Sequence, residues 1–510
     1  MLSSTIFFKN KISSDTARKV GLKLSPYGDN INIFNISSNM QAVFNDNNTL
    51  ISNFYYESAD NSMILIGHVQ NIRAIKEHFV GEDASITSTD NMLFIKECFD
   101  RYGDDFTKLL EGQFVLININ HNSRKIRIFP SSTGQLPIFL LRGETNILTT
   151  EIKSVAGTAN IKLKPLTLLK LREDNPNNHV VYENIVRLPS GAWSQLSNEG
   201  EYEFSEECTM IPQDTQISMS SSKSGVEMGN LLETSVRECL EVSTGDTYIT
   251  LSSGLDSALI TSLARNSRFP FTTCSIGTND CNEFKGALET STLLNVKHEQ
   301  RLVDPDNWLD GIIDAVYYNE IFDGISAEIQ SPLACLYKEL KGKAGSVLSG
   351  YGADLLSAGM LDPCTDKAKI NQLCAASIRR SLWTLEFSPF LASNSGIQIH
   401  HPFWTSKLIR VAMLIPSDVK IVNNIVKKFL RDWSVEHNVL PELVAGRKKL
   451  GIHEGAGVDA YFSKIVGSES AKDYTKKDKF IYQVFEKFFA QGLEREELNR
   501  DMLNKIISQC

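Results

Sequence analysis

No apolar run in this 510-residue chain approaches the ~20 residues needed to span a bilayer, which excludes a helical membrane protein. The start, Met1-Leu2-Ser3-Ser4-Thr5-Ile6, lacks a basic segment followed by a long apolar one. No secretory signal is therefore expected, and the cytoplasm is the default location. Nine cysteines, from Cys98 to Cys510, include no Cys-x-x-Cys and no Cys/His cluster; the odd, scattered set indicates neither zinc nor a disulfide framework. Positive charge is not in surplus either. Fifty-two Lys and Arg against sixty-one Asp and Glu leave −9, which argues against a general nucleic-acid partner while allowing a local basic pocket. There is no internal repeat and no Gly-Lys-Ser/Thr ending of a Walker loop.

What is present is an ordinary globular composition, 42% hydrophobic and 22% charged, in a chain too long for one core. The first ~200 residues read as short strands broken by Asn/Asp/Ser/Gly turns. Residues Asn30–Ile36, Asn53–Glu57 and Met63–Val69 fit strands, Asn91–Tyr102 a helix, and Gly112–Ile119, Lys125–Phe129 and Leu136–Leu141 a meander. Ser and Thr crowd together around residues 210–225 without an apolar period, which predicts a linker there. Beyond it, strands at Thr247–Leu251, Thr272–Ile276 and Ser346–Leu348 alternate with helical stretches at Ala258–Arg265, Glu283–Leu294, Trp308–Tyr318 and Leu333–Leu340. That alternation implies βαβ units and a parallel sheet, followed from Asp366 by mainly helical sequence. The boundaries drawn are 1–209, the linker 210–225, and 226–510.

The densest chemistry lies at Ser252-Ser253-Gly254-Leu255-Asp256-Ser257. A β-rich run enters a tight small-residue turn and leaves as a helix, so backbone N–H groups face an anion at the helix N-terminus. Asp256 would repel a bare anion there, but it makes sense if Mg²⁺ bridges carboxylate and phosphate. A second cluster, Ser349-Gly350-Tyr351-Gly352-Ala353-Asp354, also follows a strand, so its loop falls at the same carboxyl edge and pairs Asp354 with Asp256 as metal ligands. A third, Lys427-Lys428-Phe429-Leu430-Arg431 with Arg447-Lys448-Lys449, supplies cations suited to pyrophosphate, although such residues also suit a solvated helix face.

The first loop resembles the SGGxDS pyrophosphate loop of ATP pyrophosphatases, with Ser253 in place of the second glycine. Together the motifs resemble the asparagine-synthetase superfamily along essentially the whole chain. Leu110-Glu111-Gly112-Gln113-Phe114, Gly134-Gln135-Leu136-Pro137 and Thr150-Glu151-Ile152-Lys153 look like that family's glutaminase-type domain. The resemblance implies an αββα Ntn-type sandwich joined to a PP-loop ATP pyrophosphatase domain. Leu2 stands where the family's glutaminases carry a nucleophilic cysteine, so glutamine hydrolysis is not expected. Tyr351, with the segment Tyr317–Ser331 and His401-Pro402-Phe403-Trp404, is similar to the carbapenam synthetase and β-lactam synthetase branch.

The resemblance implies an AMP-forming ring closure on a small amino acid, with ATP and Mg²⁺. Ser252 to Ser257, Gly352 and Lys427 would bind the phosphates, Ser275 and Ile276 the adenine, and Asp256 and Asp354 the metal. Tyr351 and Glu386 would form the base, and Lys449 would stabilise the tetrahedral intermediate. Glu386 also fits a helix-surface acid. Glu320, Asp323 and Glu328 fit either a substrate pocket or solvated surface, and His453 receives no role. The same resemblance allows a homo-oligomer. Rival readings are a β-lactam synthetase acting on carboxyethylarginine, a lasso-peptide cyclase, an ammonia-fed asparagine synthetase, and an inactive binding protein.

Overall fold

Alternation along the N-terminal strands builds the first half. In β5 (Asn61–Val69), Ile64 and Ile66 enter one apolar layer, while Met63 and Leu65 enter another on the opposite face. The same division separates Val115 and Ile117 from Phe114 and Leu116 in β6 (Gly112–Asn120). A sheet buried on both faces needs a partner sheet on one side and helices on the other. The computed structural model shows that arrangement. It describes residues 3–8, 10–26, 30–37, 40–45, 54–82, 88–169, 171, 180–197, 201–204, 219–447 and 450–510.

One antiparallel sheet takes β1 (Ser3–Phe8), β2 (Ile31–Ser37), β3 (Met40–Asn45), β8 (Phe139–Leu141), β9 (Asn146–Thr149) and β10 (Ile185–Arg187), in the order β10-β8-β9-β1-β3-β2. The other takes β4 (Tyr55–Glu57), β5, β6, β7 (Lys125–Pro130), β11 (Ser194–Leu196) and β12 (Tyr202–Phe204), in the order β12-β11-β7-β6-β5-β4. Ile6, Phe8 and Phe44 meet Ile64, Ile66, Val115 and Ile117 between them. The helix Ser14–Leu22 covers the first sheet, and the helices Ile72–Glu82 and Asn91–Tyr102 cover the second, completing the αββα sandwich.

The second half is built on a five-stranded parallel sheet, ordered β15-β14-β13-β16-β17. Its strands are β13 (Thr247–Thr250), β14 (Thr272–Gly277), β15 (His298–Leu302), β16 (Ser346–Leu348) and β17 (Gln398–His400). The chain winds outward from β13 through β14 to β15, then returns to the other side of β13 for β16 and β17. The order therefore reverses between β13 and β16, and a crevice opens there at the carboxyl edge. Tyr248 pairs with Val347 and Ile249 with Leu348, so the loops after these two strands are neighbours.

Two expectations change. Residues 221–225 belong to a helix, Ser221–Val242, capped by the Ser220 hydroxyl accepting from the Lys223 amide at 3.2 Å. Its small residues have a packing cause: a Cβ on Gly225 or Gly229 would lie 2.7 or 2.1 Å from Trp433. Residues 210–218 of the expected linker lie outside the described residues, as do residues 205–209 before it and Leu2. The helix around residue 333 is also longer than expected, Gly324–Leu340, running through Pro332.

The halves meet through the motif residues that resembled a glutaminase. Glu111 accepts from the Ser406 amide at 3.0 Å, Gln113 donates to the Ile399 carbonyl at 2.9 Å, and Trp404 donates to the Thr133 carbonyl at 3.0 Å. The Lys153 amide donates to Glu320 at 2.9 Å. These buried polar contacts fix the sandwich against β17 and the segment that follows it.

Candidate active site

A cavity of about 410 Å³ lies at the switch point. Of the nucleotide-site residues expected, Ser252, Gly254, Asp256, Ser257, Ser275, Ile276, Gly352 and Asp354 line it, as do Tyr351 and Glu386. The first loop is knitted by its own hydroxyls. Ser257 Oγ accepts from the Ser252 amide at 3.1 Å, and Ser252 Oγ accepts from the Gly254 amide at 3.1 Å. Gly254 precedes the helix Leu255–Arg265 without a side-chain cap, so the N-terminal N–H groups are open to an anion. The two loops touch: a Cβ on Gly350 would lie 3.1 Å from the Ser257 nitrogen.

Ser253 is accommodated rather than tolerated at a cost. Its hydroxyl donates to Glu283, and its Cβ occupies space left by Gly286, where an added Cβ would come within 2.5 Å. Ser253 is thus directed at the helix Phe284–Leu293 and is absent from the cavity wall.

Lys427 binds both expected metal ligands. Its ammonium is 2.5 Å from Asp256 and 2.6 Å from Asp354, and it is 1% exposed. Burial lowers its pKa, while Asp256 opposes that shift. A left-handed backbone (φ 59°) at this non-glycine residue aims it inward. Two hard-oxygen carboxylates converging on one cationic point match the way Mg²⁺ is held by one or two carboxylates plus substrate phosphates. The donor set fits that ion.

Other members of the basic cluster have structural partners. Arg447 donates to the Gly286 carbonyl at 2.9 Å and to Thr290 at 2.6 Å, and Arg431 donates to the Val426 and Arg447 carbonyls at 3.0 Å. Lys428 pairs with Asp432. Lys448 and Lys449 lie outside the described residues.

Tyr351 donates its phenol to Glu386 Oε2 at 2.7 Å. Glu386 sits in a turn beyond the helix Ile370–Trp383, not on a helix surface, and Leu385 before it is left-handed at φ 61°. Gln330 donates to the Glu386 carbonyl at 2.8 Å, which fixes that turn from the helix Gly324–Leu340. Tyr351 packs on Phe387 at 4.8 Å between centroids, and Phe387 stacks on Trp404 at 4.0 Å. Gly352, at φ 98°, is where any side chain would press on that stack. Burial first, then the charge and hydrogen bond of Glu386, pushes the Tyr351 phenol well above 10. The phenol is therefore protonated. The pair can accept a proton only as a relay, with Glu386 as the final acceptor.

The three acids left open are all buried and engaged. Asp323 caps the helix Gly324–Leu340 and takes Arg380 at 3.1 Å, Glu320 meets Lys153, and Glu328 is bound by Lys477 and by Tyr474 at 2.9 Å. None of them lines the cavity, whereas His453 and the unanticipated Arg380 and Glu283 do. Among the described residues no helix is long and apolar enough to cross a membrane.

The family model described as asparagine synthase matches residues 227–392 and 382–506, and a glutamine amidotransferase domain matches residues 42–206. A carboxyethyl-arginine beta-lactam-synthase of Streptomyces clavuligerus is 24% identical over 79% of this chain and 76% of its own length. A glutamine-hydrolyzing asparagine synthetase of Gallus gallus is 21% identical over 83% of this chain and 80% of its own. The solved glutamine phosphoribosylpyrophosphate amidotransferase from B. subtilis aligns at TM-score 0.29 and 8% identity, covering 58% of this chain and 65% of that one.

Proposed function

The chain belongs to the asparagine synthase family, and from that premise we propose that it is an ATP-dependent, AMP-forming ligase that closes an amide ring within one small amino acid. The observation that carries this reading is the Tyr351–Glu386 pair, 2.7 Å apart, in the same cavity as Asp256 and Asp354. A base beside the carboxylate-activating end suits an amine nucleophile from the substrate itself, and Leu2 leaves no thiol to release ammonia from glutamine. The substrate favoured is carboxymethylproline, giving a carbapenam β-lactam with AMP and pyrophosphate.

In the first half-reaction the side-chain carboxylate attacks the α-phosphorus and pyrophosphate leaves. The Ser252–Ser257 loop and the helix it opens are assigned to the departing anion, as is Lys427, which pairs with Asp256 and Asp354 and does not itself line the cavity. Asp256 and Asp354 are the residues that would hold Mg²⁺, whose contribution when bound is charge neutralisation on the phosphates. Adenine is assigned to Ser275 and Ile276 at the end of β14.

In the second half-reaction the ring nitrogen attacks the acyl-adenylate. Tyr351 accepts the amine proton as it passes its own to Glu386, and Lys449 is assigned to the tetrahedral oxyanion. Holding nitrogen and carbonyl in one cavity contributes the proximity that a strained ring demands. Pyrophosphate release should be measured with ATP, Mg²⁺ and each of carboxymethylproline, carboxyethylarginine, and aspartate plus ammonia. Carboxymethylproline alone should turn over at an appreciable rate; faster release with either of the others would overturn the substrate assignment.

A further inference from the structure

His453 lines the cavity with a carboxylate standing behind it. Its Nε2 lies 3.7 Å from Glu328 Oε1. Glu328 is itself fixed: Tyr474 donates to Oε1 at 2.9 Å, and Lys477 pairs with Oε2. Lys477 is fully buried and donates further to the Ala471 carbonyl at 2.7 Å and the Asp459 carbonyl at 3.2 Å. Its charge balances that of Glu328, so the carboxylate orients the imidazole without cancelling a positive charge placed on it. The ring's other nitrogen, Nδ1, faces Gly451, a cavity residue where a Cβ would lie 3.0 Å away. With φ −64° that glycine needs no special backbone freedom; what it supplies is space beside the ring.

Neighbouring elements place His453 between the pyrophosphate loop and the adenine end. The helix Ile452–Gly455 lies beside the loop because Glu283 touches both: it accepts the Ser253 hydroxyl, and a Cβ on Gly455 would lie 2.7 Å from its Oε2. Glu328 belongs to the helix Gly324–Leu340, which packs on β14 and sends Ile325, Ile329, Leu333 and Leu336 to the cavity as one stripe. Leu333 and Leu336 share an apolar cluster with Cys274 and Ile276, where the adenine is assigned. At about 1.5 Å per residue, Glu328 lies roughly 8 Å along the axis from Leu333, the reach of a ribose from its base to its 5′-phosphate. Gln330, on the same turn, donates to the Glu386 carbonyl at 2.8 Å, so the base pair meets the helix at the same level.

We propose that His453 binds the α-phosphate of the nucleotide through the edge that carries Nδ1, with Glu328 and Lys477 as its positioning residues. This rests on the AMP-forming reading above and deepens it, since the α-phosphate is the group common to ATP, the acyl-adenylate and AMP. When the tetrahedral intermediate collapses, the bond from the carbonyl carbon to the phosphate oxygen breaks and its electron pair stays on that oxygen. The amine proton is by then on the Tyr351–Glu386 pair, and AMP leaves with one more negative charge than it carried in the adenylate. A protonated imidazole at the α-phosphate meets that charge where it develops.

Calorimetric titration with AMP and with adenosine tests this without any turnover. Wild type should bind AMP more tightly than adenosine. His453→Ala should weaken AMP on the order of 10-fold or more and leave adenosine unchanged. His453→Asn keeps a donor near the place of Nδ1 and should recover part of the AMP affinity. A ring that only props its loop on Glu328 would instead be rescued by His453→Gln, whose amide reaches the place of Nε2. A melting curve for each variant separates misfolding from lost recognition. Equal losses for AMP and adenosine, rescue by Gln and not by Asn, or no preference for AMP in wild type would overturn the assignment. If carboxymethylproline and both other acids released no pyrophosphate, the ring-closing function would fall. An AMP preference that depends on His453 would still uphold the phosphate site, and its absence would remove both.

Discussion

Replacing Tyr351 by Phe removes one oxygen and divides the reaction at a defined point. The phenol donates to Glu386 at 2.7 Å in a setting where Glu386 is buried and Tyr351 half-buried, and its packing on Phe387 is left intact. Removing a hydrogen bond to a buried carboxyl group costs about 1.5–3 kcal/mol of stability, because Glu386 loses a donor. The catalytic loss is separate. Positioned proton transfer contributes roughly 10²–10⁴ in rate, or about 3–5 kcal/mol of barrier, and it acts only when the amine attacks. Tyr351→Phe should therefore retain substrate-dependent ATP–pyrophosphate exchange within a few-fold while product formation falls 10²–10⁴-fold.

The pH profile gives a second, independent reading. Burial and Glu386 hold the Tyr351 phenol well above its usual 10, so phenolate does not form between pH 7 and 10. Any rise of the product-forming rate across that window should follow the substrate's own ring ammonium and persist in Tyr351→Phe. Loss of exchange in parallel with product formation would refute Tyr351 as the second-step base, and a rise present in wild type but absent from Tyr351→Phe would refute the relay in favour of free phenolate.

Lys427→Met leaves Asp256 and Asp354 facing each other without their shared ammonium, a loss of about 3–5 kcal/mol on the scale of broken buried ion pairs. Added Mg²⁺ should raise the melting temperature of that variant more than that of wild type; equal shifts would sink the metal assignment. Gly286→Ala would bring a methyl within 2.5 Å of the Ser253 Cβ and should raise KM for ATP, and Ser253→Gly should rescue it. Additive effects in that double-mutant cycle would contradict the packing argument. Burial lowers the pKa of His400 to about 4 and of His401 to about 3, from 6.5. Both stay neutral when folded, so their contribution is complete above pH 6.5 and is lost as pH falls toward 4 and 3. The loss approaches roughly 1.4 kcal/mol per pH unit per histidine. Urea midpoints between pH 7.5 and 4.5 should show a shallower slope in a His400→Gln/His401→Gln variant, and an unchanged slope would refute the assignment.

How much of this was legible beforehand depended on whether a role is local. The turn at Ser252–Ser257 declares itself because strand, small residues and helix are consecutive, and β13, β14 and β16 are rich in β-branched and other strand-favouring residues and alternate with helical stretches. β15 and β17 were not legible: His298-Glu299-Gln300-Arg301-Leu302 is a polar edge strand, and Gln398–His400 is three residues long. The same distinction separates the site residues. Asp256 and Asp354 were readable as a pair because each follows a strand and adjacent strands bring such loops together. Glu386 needed its Tyr351 contact, 35 positions away, to be told from a surface acid. Arg380 offered still less, since beside Arg379 it reads as one of two basic residues on an amphipathic helix. Only the Asp323 anchor, 57 positions earlier, turns one of them into the cavity and fixes it there. Residues whose chemistry is set by a distant partner are thus the ones a single sequence hides, and in this chain they cluster on the substrate side of the cavity. The nucleotide side could be read from motifs, whereas the substrate side must be read from pairings, of which Tyr351 with Glu386 is the one the proposed chemistry depends on.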